Sequence, residues 1–187
     1  EKLISSWDAE SQTSLINKNA GIKPVKVDVE LLHLIERSIA ISKFTDGAFD
    51  ISYASMDKIW KFDGSVRYMP SQELIKNSVS KVGFQNIILD LEASTVFLKT
   101  KGMKIGFGGI GKGYAADKAK ELLMALGVKG GIINASGDMN TWGKQPSGKS
   151  WEIAITNPLD KTKSYGKFPL NEGAVVTSGA VSYTHLT

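Results

Sequence analysis

The chain has 187 residues, a formal net charge of +4, a hydrophobic content of 42% and no cysteine. This length and composition suit one globular domain, with room for a small subdomain and enough apolar residues for a sizeable core. The lack of cysteine excludes disulfides and thiolate metal sites. The lysines are scattered without an interleaved set of aromatic residues, so we do not expect nucleic-acid binding.

No stretch of the chain approaches the roughly 18 apolar residues of a membrane-spanning helix, and no signal peptide is present. The chain begins at Glu1 rather than at methionine, which favours a processed or truncated product. Any membrane association is therefore expected only through a segment that is absent here. The composition leaves the compartment open, because a chain without cysteine suits either the cytosol or an oxidising envelope.

The N-terminal part predicts a short element at residues 3–8, followed by a loop, because a polar stretch and a turn-like segment at residues 19–24 come next. Trp7 is the notable side chain of this part. It either covers the core or stacks on a ligand through its ring.

A helix is predicted over Val29–Phe44, with Asp28 as its N-terminal cap and residues 45–47 at its end. His33 lies on this helix without a second metal ligand at helical spacing, so we expect a structural or surface histidine. The apolar face is predicted to consist of Leu31, Leu34, Ile35 and Ile39.

Asp50 follows this helix in a turn that leads into a short extended segment, and it lies between Phe49 and Ile51. An acidic residue between two large apolar residues needs a reason. Asp50 either caps a turn or a helix, or it hydrogen-bonds to a polar edge of a ligand.

Four further elements are predicted before residue 106. They are a loop with partly exposed aromatic residues at 59–64 and 68–70, a helix that Ser71 caps and Gly83 ends, a hairpin of residues 86–90 and 95–99, and a strand at 103–105. The strand leads directly into a glycine-rich segment.

That segment, residues 106–113, has five glycines in eight positions and comes directly before a helical pattern that Gly127 ends. Glycine lets a ligand approach the backbone, and the first N–H groups of a helix attract an anion. Lys112 adds a positive charge. The segment therefore predicts a phosphate or diphosphate site, although a loop that only packs a helix against a sheet is the alternative. Ala115, Ala119, Leu122 and Leu126 are predicted to form the apolar face of the helix, opposite Asp117, Lys118, Lys120 and Glu121.

Two known motifs fail on this segment by one residue each. Residues 106–111 satisfy the dinucleotide pattern G-x-G-x-x-G, but Asn134 stands near the place where a Rossmann unit needs an acid. Residues 106–112 satisfy G-x-x-x-x-G-K, but Gly113 replaces the hydroxyl residue of a P-loop.

The remaining chain is mostly β. Residues 131–138 predict a buried strand that breaks into a turn, where Ser136 and Gly137 leave room and Asp138 supplies a carboxylate. Residues 139–143, 151–156, 165–170 and 174–178 predict further extended segments, with a turn at 157–158. The connections are too short for regular β-α-β alternation, so we predict an α+β fold.

Four motifs occur together in the order TDGAFDIS at 45–52, GFGGIGKGYAAD at 106–117, NASGDM at 134–139 and VTSG at 176–179. The chain resembles the ApbE family, the FAD:protein FMN transferases, over residues 1–179. The resemblance implies a T-fold-like α+β domain with a mixed sheet and packed helices. It also implies magnesium-dependent transfer of FMN from FAD to a threonine of an acceptor flavoprotein, with release of AMP, in the bacterial periplasm or cell envelope.

The resemblance also implies site residues. Trp7 would lie beside the flavin, and the FAD pocket would be formed by Ala48, Phe49, Asp50, Gly106, Lys112, Ser136, Gly137 and Asp138. The family often has Asp where this chain has Gly106, so only the backbone can contribute there. Gly109 matches a position that helps to hold magnesium, through its carbonyl oxygen, and hard oxygen ligands suit this ion. No catalytic residue is assigned.

Residues 180–187 depart from the family pattern and are expected to be a tail of doubtful origin, so His185 is left out of the site. The family's later magnesium ligands have no counterpart here, and we therefore expect low catalytic activity. Two alternatives are a domain that binds or carries FAD without turnover and a hydrolase that cleaves FAD to FMN and AMP.

Overall fold

The structure is a computed structural model that describes residues 2–57, 59, 69–157, 159–160 and 162–176. Most of the predicted loop at 59–64 and 68–70, Pro158 of the predicted turn and the predicted tail at 180–187 lie outside the described residues. The chain divides into two compact units, Glu1–Phe107 and Gly108–Thr187.

The first unit combines helices with a small sheet. Its elements are α1 (Gln12–Lys18), β1 (Val25–Lys26), α2 (Val29–Phe44), a first 3-10 helix (Ile51–Ser55), α3 (Gln72–Ser78), a second 3-10 helix (Phe84–Asn86), β2 (Ile87–Asp90) and β3 (Thr95–Leu98). The strands are antiparallel in the order β1-β3-β2. The pairing of β2 with β3 confirms the predicted hairpin. Helix α3 begins after Ser71 as predicted but ends at Ser78, before Gly83.

Helix α2 has the predicted bounds, and the Asp28 side chain accepts a hydrogen bond from the Glu30 N–H. His33 is exposed, as predicted. The predicted apolar face was partly wrong, because Leu34 and Ile39 are only half-buried while the buried positions are Leu31, Leu32, Ile35, Ser38 and Ser42. Both serine hydroxyls donate to carbonyls of their own helix, which makes their burial tolerable.

Helix α1 replaces part of the predicted N-terminal loop. Ser11 caps it by accepting from the Ser14 N–H, and the Ser11 and Thr13 hydroxyls donate to the carbonyls of Ser5 and Leu3. Polar side chains thus bury themselves by bonding to the preceding backbone, so apolar periodicity did not reveal this helix.

The second unit consists of one helix and hairpin-connected strands. Its elements are α4 (Gly111–Ala125), β4 (Gly131–Ala135), β5 (Asp138–Trp142), β6 (Trp151–Thr156), β7 (Ser164–Leu170) and β8 (Gly173–Val176). The strands form the sheets β4-β5-β8 and β6-β7, and all the pairings in the described residues are antiparallel. The α+β prediction is confirmed, whereas a Rossmann unit would need parallel strands.

The face that α4 buries differs from the predicted one. Leu122 and Leu126 are exposed, and Ala116 is buried. Lys120, predicted to face solvent, instead donates to Asn140 Oδ1 at 3.1 Å and to the Thr141 carbonyl at 3.2 Å. Its apolar stem can pack while its ammonium reaches acceptors on β5. Within the described part of the chain, no helix has both the length and the apolar composition for a membrane span.

Candidate functional site

Side chains, rather than a neighbouring strand, hold the backbone that leads into the glycine segment. The Asn17 amide accepts from the Ile105 N–H at 2.8 Å and donates to the Ile105 carbonyl at 3.0 Å. The Ser55 hydroxyl bonds in the same two ways to the backbone of Lys104, both at 2.8 Å. The predicted strand at 103–105 is therefore wrong, because these two side chains take the hydrogen bonds that strand pairing would supply.

Gly106 is buried directly after this segment. Its N–H donates to the Ile51 carbonyl at 2.9 Å, which ties it to the first 3-10 helix. A Cβ atom at this position would lie 3.1 Å from the Cβ of Ala54. Its backbone contribution is thus a structural hydrogen bond, and its glycine allows a close approach of two chain segments.

Asp50 caps the first 3-10 helix. Its Oδ1 accepts from the Ser52 N–H at 2.7 Å, and its Oδ2 accepts from the Phe84 N–H at 2.9 Å. The capping alternative is confirmed, since both carboxylate oxygens have backbone donors. Contact with the flavin stays a prediction.

Ala48 and Phe49 lie in the turn that connects α2 to this 3-10 helix. The Ala48 N–H donates to the Thr45 carbonyl at 2.9 Å, and the Phe49 N–H donates to the Thr45 hydroxyl at 3.1 Å. Ala48 is exposed and Phe49 is half-buried. The turn therefore presents part of an aromatic ring next to Asp50, and its contact with FAD stays a prediction.

Trp7 is 92% exposed. The Ser5 hydroxyl accepts from the N–H groups of Trp7 at 3.2 Å and Asp8 at 3.1 Å, which fixes the backbone under the ring. The alternative that Trp7 covers the core is wrong. An exposed indole on a fixed backbone can stack on a planar ligand.

In the second unit, a two-residue hairpin turn connects β4 to β5. Ala135 pairs with Asp138, so Ser136 and Gly137 form the turn, with φ angles of 55° and 97°. Two successive positive φ values suit a tight hairpin, and glycine tolerates them best. Asn134 Oδ1 accepts from the Gly137 N–H at 2.9 Å and supports the turn.

Lys112, in the first turn of α4, contacts this hairpin. Its Nζ lies 3.0 Å from Asp138 Oδ1 and donates to the Ser136 carbonyl at 3.2 Å. The structure therefore brings together Lys112, Ser136, Gly137 and Asp138, which come from two separate sequence motifs.

The electrostatics of this pair are asymmetric. The Asp138 side chain is 9% exposed and the Lys112 side chain is 47% exposed. Asp138 Oδ1 is buried and accepts no directed hydrogen bond in the described residues, so the ammonium is its charge partner. An ammonium has three N–H donors, and these two contacts leave donor capacity on the exposed side.

The N-terminus of α4 lacks a side-chain cap. Residues 108–110 form a turn, and Ile110 precedes the helix without a capping hydrogen bond from its side chain. The first N–H groups of the helix can therefore meet an anion beside Lys112. Gly109 lies exposed in this turn, where its carbonyl oxygen is the magnesium ligand that the sequence predicts.

The residues here can accept a magnesium ion only with outside ligands. No group of three or more His, Cys, Asp or Glu side chains is suited to hold a metal in the described ranges. The buried Asp138 Oδ1, which lacks a hydrogen bond, is a hard oxygen of the kind that magnesium prefers. Magnesium usually binds one or two carboxylates and completes its coordination with water and phosphate, so this donor set fits.

A polar network that the sequence reading missed joins α4 to β5. Asn140 Nδ2 donates to Asp117 Oδ1, and Asn140 Oδ1 accepts from Lys120 Nζ. The available signal was the i, i+3 spacing of Asp117 and Lys120 on one helix face. This network fixes the helix that carries Lys112.

Comparisons with known proteins match the chain along nearly its whole length. The ApbE family model matches residues 1–185. The FAD:protein FMN transferase of Klebsiella pneumoniae (strain 342) is 32% identical over 180 residues, which cover 96% of this chain and 55% of that protein. The protein of that name from Escherichia coli (strain K12) is 25% identical over 185 residues, with 96% and 53% covered. The chain thus spans about half the length of the curated relatives it matches.

Solved structures give the same result. The ApbE protein of Thermotoga maritima superposes with a TM-score of 0.81 at 32% identity, covering 95% of this chain and 58% of that one. The flavinyl transferase ApbE of Pseudomonas stutzeri, in its apo form, superposes with a TM-score of 0.75 at 25% identity, covering 91% and 53%. On the family match and these likenesses together, the chain belongs to the ApbE family.

Proposed function

We propose that this chain takes part in the magnesium-dependent transfer of FMN from FAD to a threonine of an acceptor flavoprotein, with release of AMP. The names of its relatives, FAD:protein FMN transferase and flavinyl transferase, support the overall reaction. Magnesium, the threonine target and a bacterial periplasmic or envelope location are the finer parts of the proposal.

The observation that carries the proposal is the position of Lys112 in the uncapped first turn of α4, held by Asp138 and the Ser136 carbonyl. Transfer breaks the diphosphate of FAD and leaves negative charge on AMP. Helix N–H groups and a fixed ammonium stabilise such charge, and phosphoryl transfer depends chiefly on positioning and electrostatics.

Lys112 alone does not neutralise a diphosphate. Its charge is already balanced by Asp138 at 3.0 Å, so the pair brings little net positive charge to the ligand. When bound, magnesium would supply the missing positive charge at the phosphate oxygens. Gly109, through its carbonyl, and Asp138 are the residues that would hold it.

In the first unit, we assign the flavin end of FAD to Trp7, Ala48, Phe49 and Asp50. Trp7 offers an exposed ring on a fixed backbone, and Asp50 holds the turn that presents Phe49. Gly106 contributes through its backbone, which holds the start of the glycine segment in place.

The test is to incubate the chain with FAD, magnesium and a threonine-containing acceptor peptide, and to separate the products by mass. We expect a peptide that carries FMN, together with AMP. Free FMN and AMP without labelled peptide would indicate the hydrolase, and intact bound FAD would indicate a carrier. Lys112→Ala should reduce turnover, whereas Lys118→Ala, on the same helix in a surface pair with Glu121, is the matched charge control.

A further inference from the structure

Two hydroxyl groups converge on the backbone of Gly106. A Cβ atom built there would lie 3.6 Å from Ser6 Oγ and 3.7 Å from Tyr53 Oη, as well as 3.1 Å from the Ala54 Cβ. The φ angle of Gly106 is not in the left-handed region, so the backbone conformation does not require glycine. Glycine is instead required by the space that the three side chains occupy.

Neither hydroxyl has a hydrogen-bond partner among the residues that the structure describes. Ser6 is exposed and Tyr53 is 41% exposed. The buried hydroxyls of the same 3-10 helix behave differently, since Ser52 accepts from the Gly83 N–H and Ser55 bonds to Lys104. The helix therefore uses its buried hydroxyls for structure and presents the Tyr53 hydroxyl at the surface.

The indole of Trp7 directly follows Ser6, and its backbone is held by Ser5. This part of the surface thus offers an exposed aromatic face and two hydroxyls that can donate and accept hydrogen bonds. A planar heterocycle with a polar edge matches this combination, and a phosphate does not, because no cationic side chain belongs to the group.

We propose that Tyr53 is a specificity-determining residue for the flavin end of FAD. Its hydroxyl, together with that of Ser6, hydrogen-bonds to the polar edge of the flavin ring, while Trp7 covers the face of the ring. The absence of a side chain at Gly106 leaves room for both hydroxyls beside the backbone. This inference rests on the proposed function, since it takes FAD as the ligand.

The test is to measure the Kd values of FAD, FMN and AMP for the unaltered chain, Tyr53→Phe, Ser6→Ala and the double variant. We expect Tyr53→Phe to raise the Kd of FAD and FMN by about two- to tenfold, the effect of one neutral hydrogen bond. The double variant should lose more, and the Kd of AMP should stay the same. Tyr165→Phe, which removes a hydroxyl from a tyrosine that is 78% exposed on β7, is the control.

The outcomes separate this inference from the proposed function. Unchanged FAD and FMN affinities in Tyr53→Phe and in the double variant would overturn the inference alone. A weaker AMP affinity would place the hydroxyls at the adenosine end, and a lower melting temperature of the ligand-free Tyr53→Phe variant would make the hydroxyl structural. If the unaltered chain binds neither FAD nor FMN, the proposed function fails and this inference fails with it.

Discussion

Gly106 and Gly113 bound the same glycine segment, yet their surroundings differ. A Cβ on Gly106 would meet the Ala54 side chain at 3.1 Å, whereas a Cβ on Gly113 would meet nothing within 4 Å. Neither glycine has a left-handed φ angle. The fold therefore explains the first glycine but not the second, which leaves close ligand approach as the role for Gly113.

The charge on the Lys112 side of this comparison gives the largest expected effect. Lys112→Ala should weaken FAD binding by about tenfold or more, because a charge-assisted contact contributes roughly 1.5–3 kcal/mol. It should also lower stability, since it leaves the buried Asp138 carboxylate without its charge partner.

A double variant separates these two effects. Adding Asp138→Asn to Lys112→Ala should restore part of the melting temperature, because no buried charge then remains unpaired. It should not restore FAD affinity. Recovery of both properties would show that Lys112 serves Asp138 only.

Gly106→Ala tests the packed end of the segment. We expect a loss of roughly 1–3 kcal/mol in the free energy of unfolding, because the new methyl group overpacks against Ala54. Urea unfolding of Gly106→Ala alone and combined with Ala54→Gly measures this. If Ala54→Gly recovers none of the loss, contact with Ala54 is not the reason for glycine at 106.

Asp50→Asn tests the 3-10 helix against which Gly106 packs. An amide can accept with only one of its two polar atoms, so either the Ser52 or the Phe84 N–H loses its acceptor. We expect a loss of about 0.5–2 kcal/mol in the ligand-free protein, seen as a lower melting temperature. Asp46→Asn, in the preceding turn, is a suitable control. An unchanged melting temperature would leave flavin contact as the main role of Asp50.

Gly113→Ala should have the smallest effect on the fold and the opposite sign. Alanine in α4 should stabilise the ligand-free protein by roughly 0.5–1 kcal/mol, since glycine is a poor helix former and no neighbour obstructs the methyl group. FAD affinity should fall if the ligand approaches this backbone closely. Higher stability with full affinity would remove Gly113 from the site.

Local signals explain which elements could be predicted. Helix α2 was correct because its cap and its apolar spacing lie within one stretch of sequence. The backbone at Ile105 was not, because its partner Asn17 is 88 positions away. A side-chain amide that substitutes for a strand leaves no period in the sequence.

The candidate site divides in the same way. The pairing of Lys112 with the turn at Ser136 and Asp138 follows from motifs that the sequence already singled out. The hydroxyl of Tyr53 and the buried face of α4 at Lys120 could not be found from spacing, because their surroundings come from distant segments.

The short turn between β4 and β5 also limits how the chain length can vary. Successive residues of a strand face opposite sides of the sheet, so a one-residue shift of register would turn Asp138 away from Lys112. A single insertion or deletion in this turn would therefore separate the charge pair even if every side chain were kept. Length at this hairpin is as much a part of the site as the identity of Asp138.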